Sequence, residues 1–142
     1  MKKKIMALCL GTMLSFSAVA MAVTPDAQIF SNEQEKAVAW TDTMLVKNKP
    51  VEALKLMSSE AQKEIDANKI TGIAQEMTKQ MGKYKAAQFV AWTRFDQADQ
   101  LVYFMSFEKE PVVRCVLIFD KQGNLLNFGL TPVKQKAEAD KK

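Results

Sequence analysis

The chain has 142 residues, 20 Lys and Arg against 16 Asp and Glu, and no histidine. Without histidine there is no Ser-His or Cys-His pair, and the commonest general base and zinc ligand are missing. No metal-ligand spacing or phosphate-binding glycine loop is present either, so no catalytic residue, metal or cofactor is expected.

Lys2, Lys3 and Lys4 precede an uncharged apolar stretch from Ile5 to Ala18, and Ala20-Met21-Ala22 places small residues where a signal peptidase cleaves. Residues 1–22 are read as a signal peptide, 23–132 as a single domain and 133–142 as a disordered charged tail. An exported protein follows, periplasmic or extracellular, with no stable membrane insertion after cleavage. The leader removes three lysines and no acid, which leaves 17 basic against 16 acidic residues, and the tail "KQKAEADKK" holds four of those lysines. The folded part is not basic, so no nucleic-acid partner is expected. Cys9 leaves with the leader, and Cys115 then has no cysteine to pair with inside the chain.

The first half has helical spacing. Ser31 and Gln34 form a capping box, and Ala37, Trp40, Thr41 and Met44 share a face, with Glu33, Glu35 and Asp42 elsewhere. Asn48 and Pro50 end that helix. Pro50 opens a short second piece with Val51, Leu54 and Met57 inward, and Ser59 and Gln62 form a second capping box. Ile70, Ile73, Ala74, Met77 and Met81 make a continuous stripe that Gly82 ends as a C-cap.

From Tyr84 onward the period changes to two. Tyr84–Asp96, Leu101–Glu108, Val112–Asp120 and Leu125–Thr131 read as strands of an antiparallel meander. Asp120-Lys121-Gln122-Gly123 fits a type I turn with Gly123 in the left-handed position. A loop of Gln97 to Asp99 sets Thr93 opposite Tyr103, and a two-residue turn at Glu110-Pro111 sets Phe107 opposite Arg114. The expectation is an α+β domain, three N-terminal helices packed on a curved four-stranded antiparallel sheet. In this register Tyr103, Phe107 and Arg114 face the helices. Trp92, Phe104, Cys115 and Leu117 face outward.

The segment "NKPVEALKLMSSEAQKEI", with Ala53, Leu56, Ser58, Glu60 and Lys63, and the step Gly82-Lys83-Tyr84 into the sheet resemble an uncharacterised family of bacterial exported proteins. That family has the nuclear-transport-factor-2-like fold, and the likeness covers roughly residues 30 to 132. It implies a cone-shaped sheet around the helices with a pocket at the open end. Relatives of the fold include isomerases and dehydratases as well as binding modules, so the fold alone selects no function.

The ligand-binding candidates are Arg114, Tyr103, Phe107 and Trp40. An inward Arg114 needs an anionic partner, either Glu108 or Glu110 or a ligand carboxylate. Trp92, Phe104 and Leu117 are the interface candidates: an outer apolar patch suggests a homodimer through the sheet, which Leu117→Glu would split into folded monomers. The expected function is non-catalytic, the binding of a small anionic or apolar ligand or an accessory role. The alternative is an isomerase- or lyase-type enzyme acting on a small apolar or carboxylate-bearing substrate in the pocket.

Overall fold

The computed structural model describes residues 24–134. The signal peptide and most of the charged tail expected from the sequence lie outside the described residues. Contacts divide the chain into two compact units, 1–31 and 32–142. In the first, Thr24 starts a helix, its hydroxyl accepting from Ala27 N–H at 3.3 Å. The second holds the sheet and, apart from residues 25–31 of the first helix, everything described below.

Helix α1 spans Pro25–Thr41, α2 Pro50–Lys55, α3 Ser59–Glu64 and α4 Ala67–Met81, four helices among the described residues where the spacing predicts three. The capping box expected at Ser31 is not used, because α1 already starts at Pro25, whose fixed φ suits a first turn. A π-helical turn, Asp42–Val46, extends α1, and Asn48 takes a left-handed conformation at φ 55° before Pro50 opens α2. The cap of α3 is Ser58, one residue before the expected Ser59; its hydroxyl accepts from Ala61 N–H at 3.0 Å. Asp66 caps α4 in the same way, accepting from Lys69 N–H at 2.7 Å. No helix among the described residues is long and apolar enough to cross a membrane.

Gly82 ends α4 as expected, at φ 79°. A methyl group there would lie 2.8 Å from Glu108 Cβ in a backbone conformation that L side chains rarely adopt. Gly82→Ala is therefore expected to cost roughly 1–3 kcal/mol, read as a lower urea midpoint at unchanged slope.

The strands are β1 Tyr84–Arg94, β2 Asp99–Phe107, β3 Val113–Phe119 and β4 Leu125–Pro132, in the antiparallel order β1-β2-β3-β4. The last turn is as the sequence indicates. Gly123 sits at φ 85°, and its N–H reaches Asp120 O at 2.9 Å. The other two turns differ. Phe95 N–H bonds Ala98 O at 2.8 Å, so the first hairpin closes tightly and Asp99 begins β2 opposite Arg94. The loop after β2 is longer than a two-residue turn. Glu108 and Lys109 donate backbone hydrogen bonds to Lys83 O and Met81 O at the end of α4, which draws them out of the ladder.

Consequently Arg114 pairs with Phe104 rather than Phe107, a slip of three residues, and an odd slip turns a strand over. Val113, Cys115, Leu117 and Phe119 face the helices, each 0% exposed, while Arg114 is exposed on the other face. A bulge between Phe89 and Ala91 likewise turns Trp92 and Arg94 to the helix side. Leu101, Met105, Trp40, Met44 and Ile70 complete the core. The Met57–Leu125 bridge ties the α2–α3 junction to β4.

Candidate functional site

Two places in the 32–142 unit put polar chemistry inside the protein. The first is a hollow of about 170 Å³ between the end of α1, the π-helical turn and the inner face of β1 and β2. Its walls are mostly apolar, with Val38, Val46, Ala87 and Met105 among them. Tyr103 stands in the wall, held edge-on to Phe89 with ring centroids 5.9 Å apart. Only 8% of Tyr103 is exposed, and its hydroxyl makes no hydrogen bond of good geometry, although the Gln34 side chain lies close to it. Burial pushes its pKa up; Gln34 pulls the other way, and the Cys115 thiol adds to the rise. Asp42 is the only carboxyl lining the hollow; it is half exposed and lies 3.4 Å from Lys47.

Val46 and Tyr84 are shared with a second hollow of about 340 Å³, which Phe107 and Lys83 also line. Tyr84 packs edge-on to Phe107 at 5.7 Å, and burial followed by the Cys115 thiol raises its pKa.

The second place is an acid pair. Glu33 on α1 and Asp99 at the start of β2 are both 0% exposed. Trp92 Nε1–H donates to Glu33 Oε1 at 3.0 Å. Arg94 Nε and Lys121 Nζ both donate to Asp99 Oδ1, at 3.1 and 2.8 Å. The remaining oxygens, Glu33 Oε2 and Asp99 Oδ2, have no donor among the described groups. The two carboxyls lie close enough to share a hydrogen bond when one of them carries a proton. Burial and then that bond to Asp99 push Glu33 up to about 7. Burial also acts to raise Asp99, but the hydrogen bonds from Glu33, Lys121 and Arg94 outweigh it and hold Asp99 low. Arg94 also lies over the Trp92 ring, 5.6 Å from its centroid.

The candidates from the sequence separate across these places. Tyr103 lines the first hollow and Phe107 the second. Trp40 is fully buried against Phe128, ring centroids 4.7 Å apart, and lines neither. Arg114 is exposed on the opposite face, so its expected inward position is overturned by the register of β3. Of the interface candidates only Phe104, 42% exposed, stands on the outer face. Trp92 turns to Glu33 and Leu117 is core. A dimer through the sheet would have to form without either. Cys115 is inner rather than outer, and burial pushes its thiol up to about 12, which makes it a poor nucleophile.

Glu33, Asp99, Arg94 and Lys121 were not among the expected site residues. The signal for Glu33 was present: it precedes Ala37 by four residues and Trp40 by seven, on the stripe that α1 buries. No group of three or more metal-ligating side chains occurs among the described residues. No family model matches the chain, and neither the curated proteins nor the solved structures contain a match.

Proposed function

We propose that this domain binds a small, mainly apolar ligand carrying one hydrogen-bonding group in the hollow around Tyr103. The observation that carries the reading is the Tyr103 side chain, more than nine-tenths buried in the wall of a mostly apolar hollow, its hydroxyl without a well-formed hydrogen bond and with only Gln34 close to it. A buried hydroxyl without a partner costs about 1–3 kcal/mol, which a ligand oxygen would recover. Binding rather than catalysis is favoured because Asp42, the one carboxyl in the wall, is solvated and paired with Lys47. The anionic ligand considered from the sequence loses its support with Arg114 on the far face. Membership of the nuclear-transport-factor-2-like family is part of the same proposal, supported by the order of helices followed by a four-stranded antiparallel sheet.

A panel of phenols, short alcohols and ketones, followed by thermal shift and by titration of the best compound, tests it. Tyr103→Phe is expected to leave the unliganded melting point unchanged or slightly raised, and to weaken binding roughly tenfold. Ala87→Leu, which fills the hollow from β1 without touching the hydroxyl, is expected to weaken it as well. Compounds that bind the wild type and both variants equally would place the ligand elsewhere and overturn the reading.

A further inference from the structure

The acid pair joins three parts of the fold that are distant in sequence. Glu33 comes from α1, Trp92 and Arg94 from β1, Asp99 from the start of β2, and Lys121 from the β3–β4 turn. Lys36, one turn along α1, reaches the same β3–β4 turn through a 2.7 Å bond to Gly123 O. The two cations at the pair both use Asp99 Oδ1. The Glu33 and Asp99 carboxyls lie within reach of each other, the oxygens left without a donor are Glu33 Oε2 and Asp99 Oδ2, and neither residue is exposed to water. Two acceptor oxygens can hydrogen-bond only with a proton between them.

We infer that Glu33 and Asp99 form one proton-binding site, with a single proton shared between Glu33 Oε2 and Asp99 Oδ2, and that losing this proton loosens α1 from the two hairpin turns at this end of the sheet. When the proton leaves to solvent, two negative charges face each other without water. Arg94 and Lys121 both bond Asp99 Oδ1, and the Arg94 charge favours an ionised Glu33 less than burial and Asp99 oppose it, so an ionised Glu33 is driven toward water. The part free to yield is the α1 turn carrying Glu33. Its movement breaks the Trp92–Glu33 hydrogen bond.

The sign of the effect follows from which state holds the proton more tightly. Glu33 binds it at about 7 when folded against an ordinary 4.5, so its contribution is complete below about 4.5 and is lost as pH rises through 7. Asp99 is held below its ordinary 3.8, so its contribution is already complete at pH 5 and constant above it. The chain has no histidine, so no side chain at its ordinary pKa changes charge between pH 5 and 8.

Urea denaturation of the full domain between pH 5 and 8 tests the inference. The wild-type folding constant is expected to fall about 10²-fold across that range. In Glu33→Gln the amide donates to Asp99 as the protonated acid did, while its oxygen still accepts from Trp92, and the profile is expected to flatten. A flat wild-type profile, or an equal fall in Glu33→Gln, overturns the proposal. Should Glu33→Gln not fold, infrared spectroscopy of the folded wild type at pH 6 decides. A protonated-carboxyl carbonyl band that disappears by pH 8, with a concurrent change in Trp92 emission, supports the shared proton, and the absence of that band refutes it.

Discussion

Leu117→Glu is expected to abolish folding. Leu117 is 0% exposed at the centre of β3, flanked by Leu101 on β2 and Phe128 on β4. The change removes a buried leucine, worth about 2–3 kcal/mol, and places an unpaired carboxylate where no cation is in reach, which costs several more. Their sum, roughly 5–8 kcal/mol, matches the whole stability of a domain at the lower end of the usual range of about 5–15 kcal/mol. Circular dichroism should show loss of the sheet signal and no cooperative thermal transition. The outward register assumed from sequence leads to the opposite outcome, a folded monomer, so this one variant discriminates between the two orientations of β3.

Asp99→Ala is expected to be the most damaging polar substitution. It removes the acceptor for Arg94 Nε and Lys121 Nζ together, and leaves Glu33 as a lone buried acid beside Trp92. Both cations are about a third exposed and can turn to water, which limits the loss. The remainder, a stranded Glu33 and an untethered β1–β2 turn, gives a cost on the order of 3 kcal/mol and a melting point lower by roughly 10–20 °C. Asp99→Asn separates hydrogen bonding from charge. Its carbonyl still accepts from both cations and its amide donates to an ionised Glu33, so it should lose less than half as much. It should also weaken the pH dependence, because Asp99 no longer raises the Glu33 pKa while burial still does. A calorimetric scan of the two variants at pH 5 and 8 checks both statements. Equal destabilisation by Ala and Asn would show that packing, not the acid pair, is what Asp99 provides.

Much of the scaffold was legible because local rules decided it. Of the stripe Ile70, Ile73, Ala74, Met77 and Met81, Ile70, Ala74 and Met81 are buried and Ile73 and Met77 half-buried, and Gly82 ends the helix where only a left-handed backbone continues into β1. Gly123 closes the last hairpin for the same reason. Where caps competed, the shift was small: Ser58 rather than Ser59. Strand order followed from short connections. The candidate site was legible in part. Tyr103 and Phe107 line adjoining hollows because β2 keeps the face that its apolar alternation indicates.

The sequence by itself determined the helices-then-sheet order, the meander, the glycine-dependent stops, and through the missing histidine the absence of imidazole chemistry. Tertiary structure decided which way β3 faces. Glu108 and Lys109 bond to the end of α4, far away in sequence, and that bond lengthens the loop and turns Arg114 out and Cys115 and Leu117 in. Alternation by itself favoured the observed face, since Val113, Cys115, Leu117 and Phe119 are all apolar whereas Arg114 interrupts the row of Val112, Val116 and Ile118; the two-residue turn assumed before β3 overrode it. Tertiary structure also decided the acid pair. Glu33 lies on the buried stripe of α1, but a carboxyl at such a position is read as solvated unless a partner is known. That partner, Asp99, lies beyond a turn whose length sets whether it is loop or core, and only the assembled sheet fixes that length.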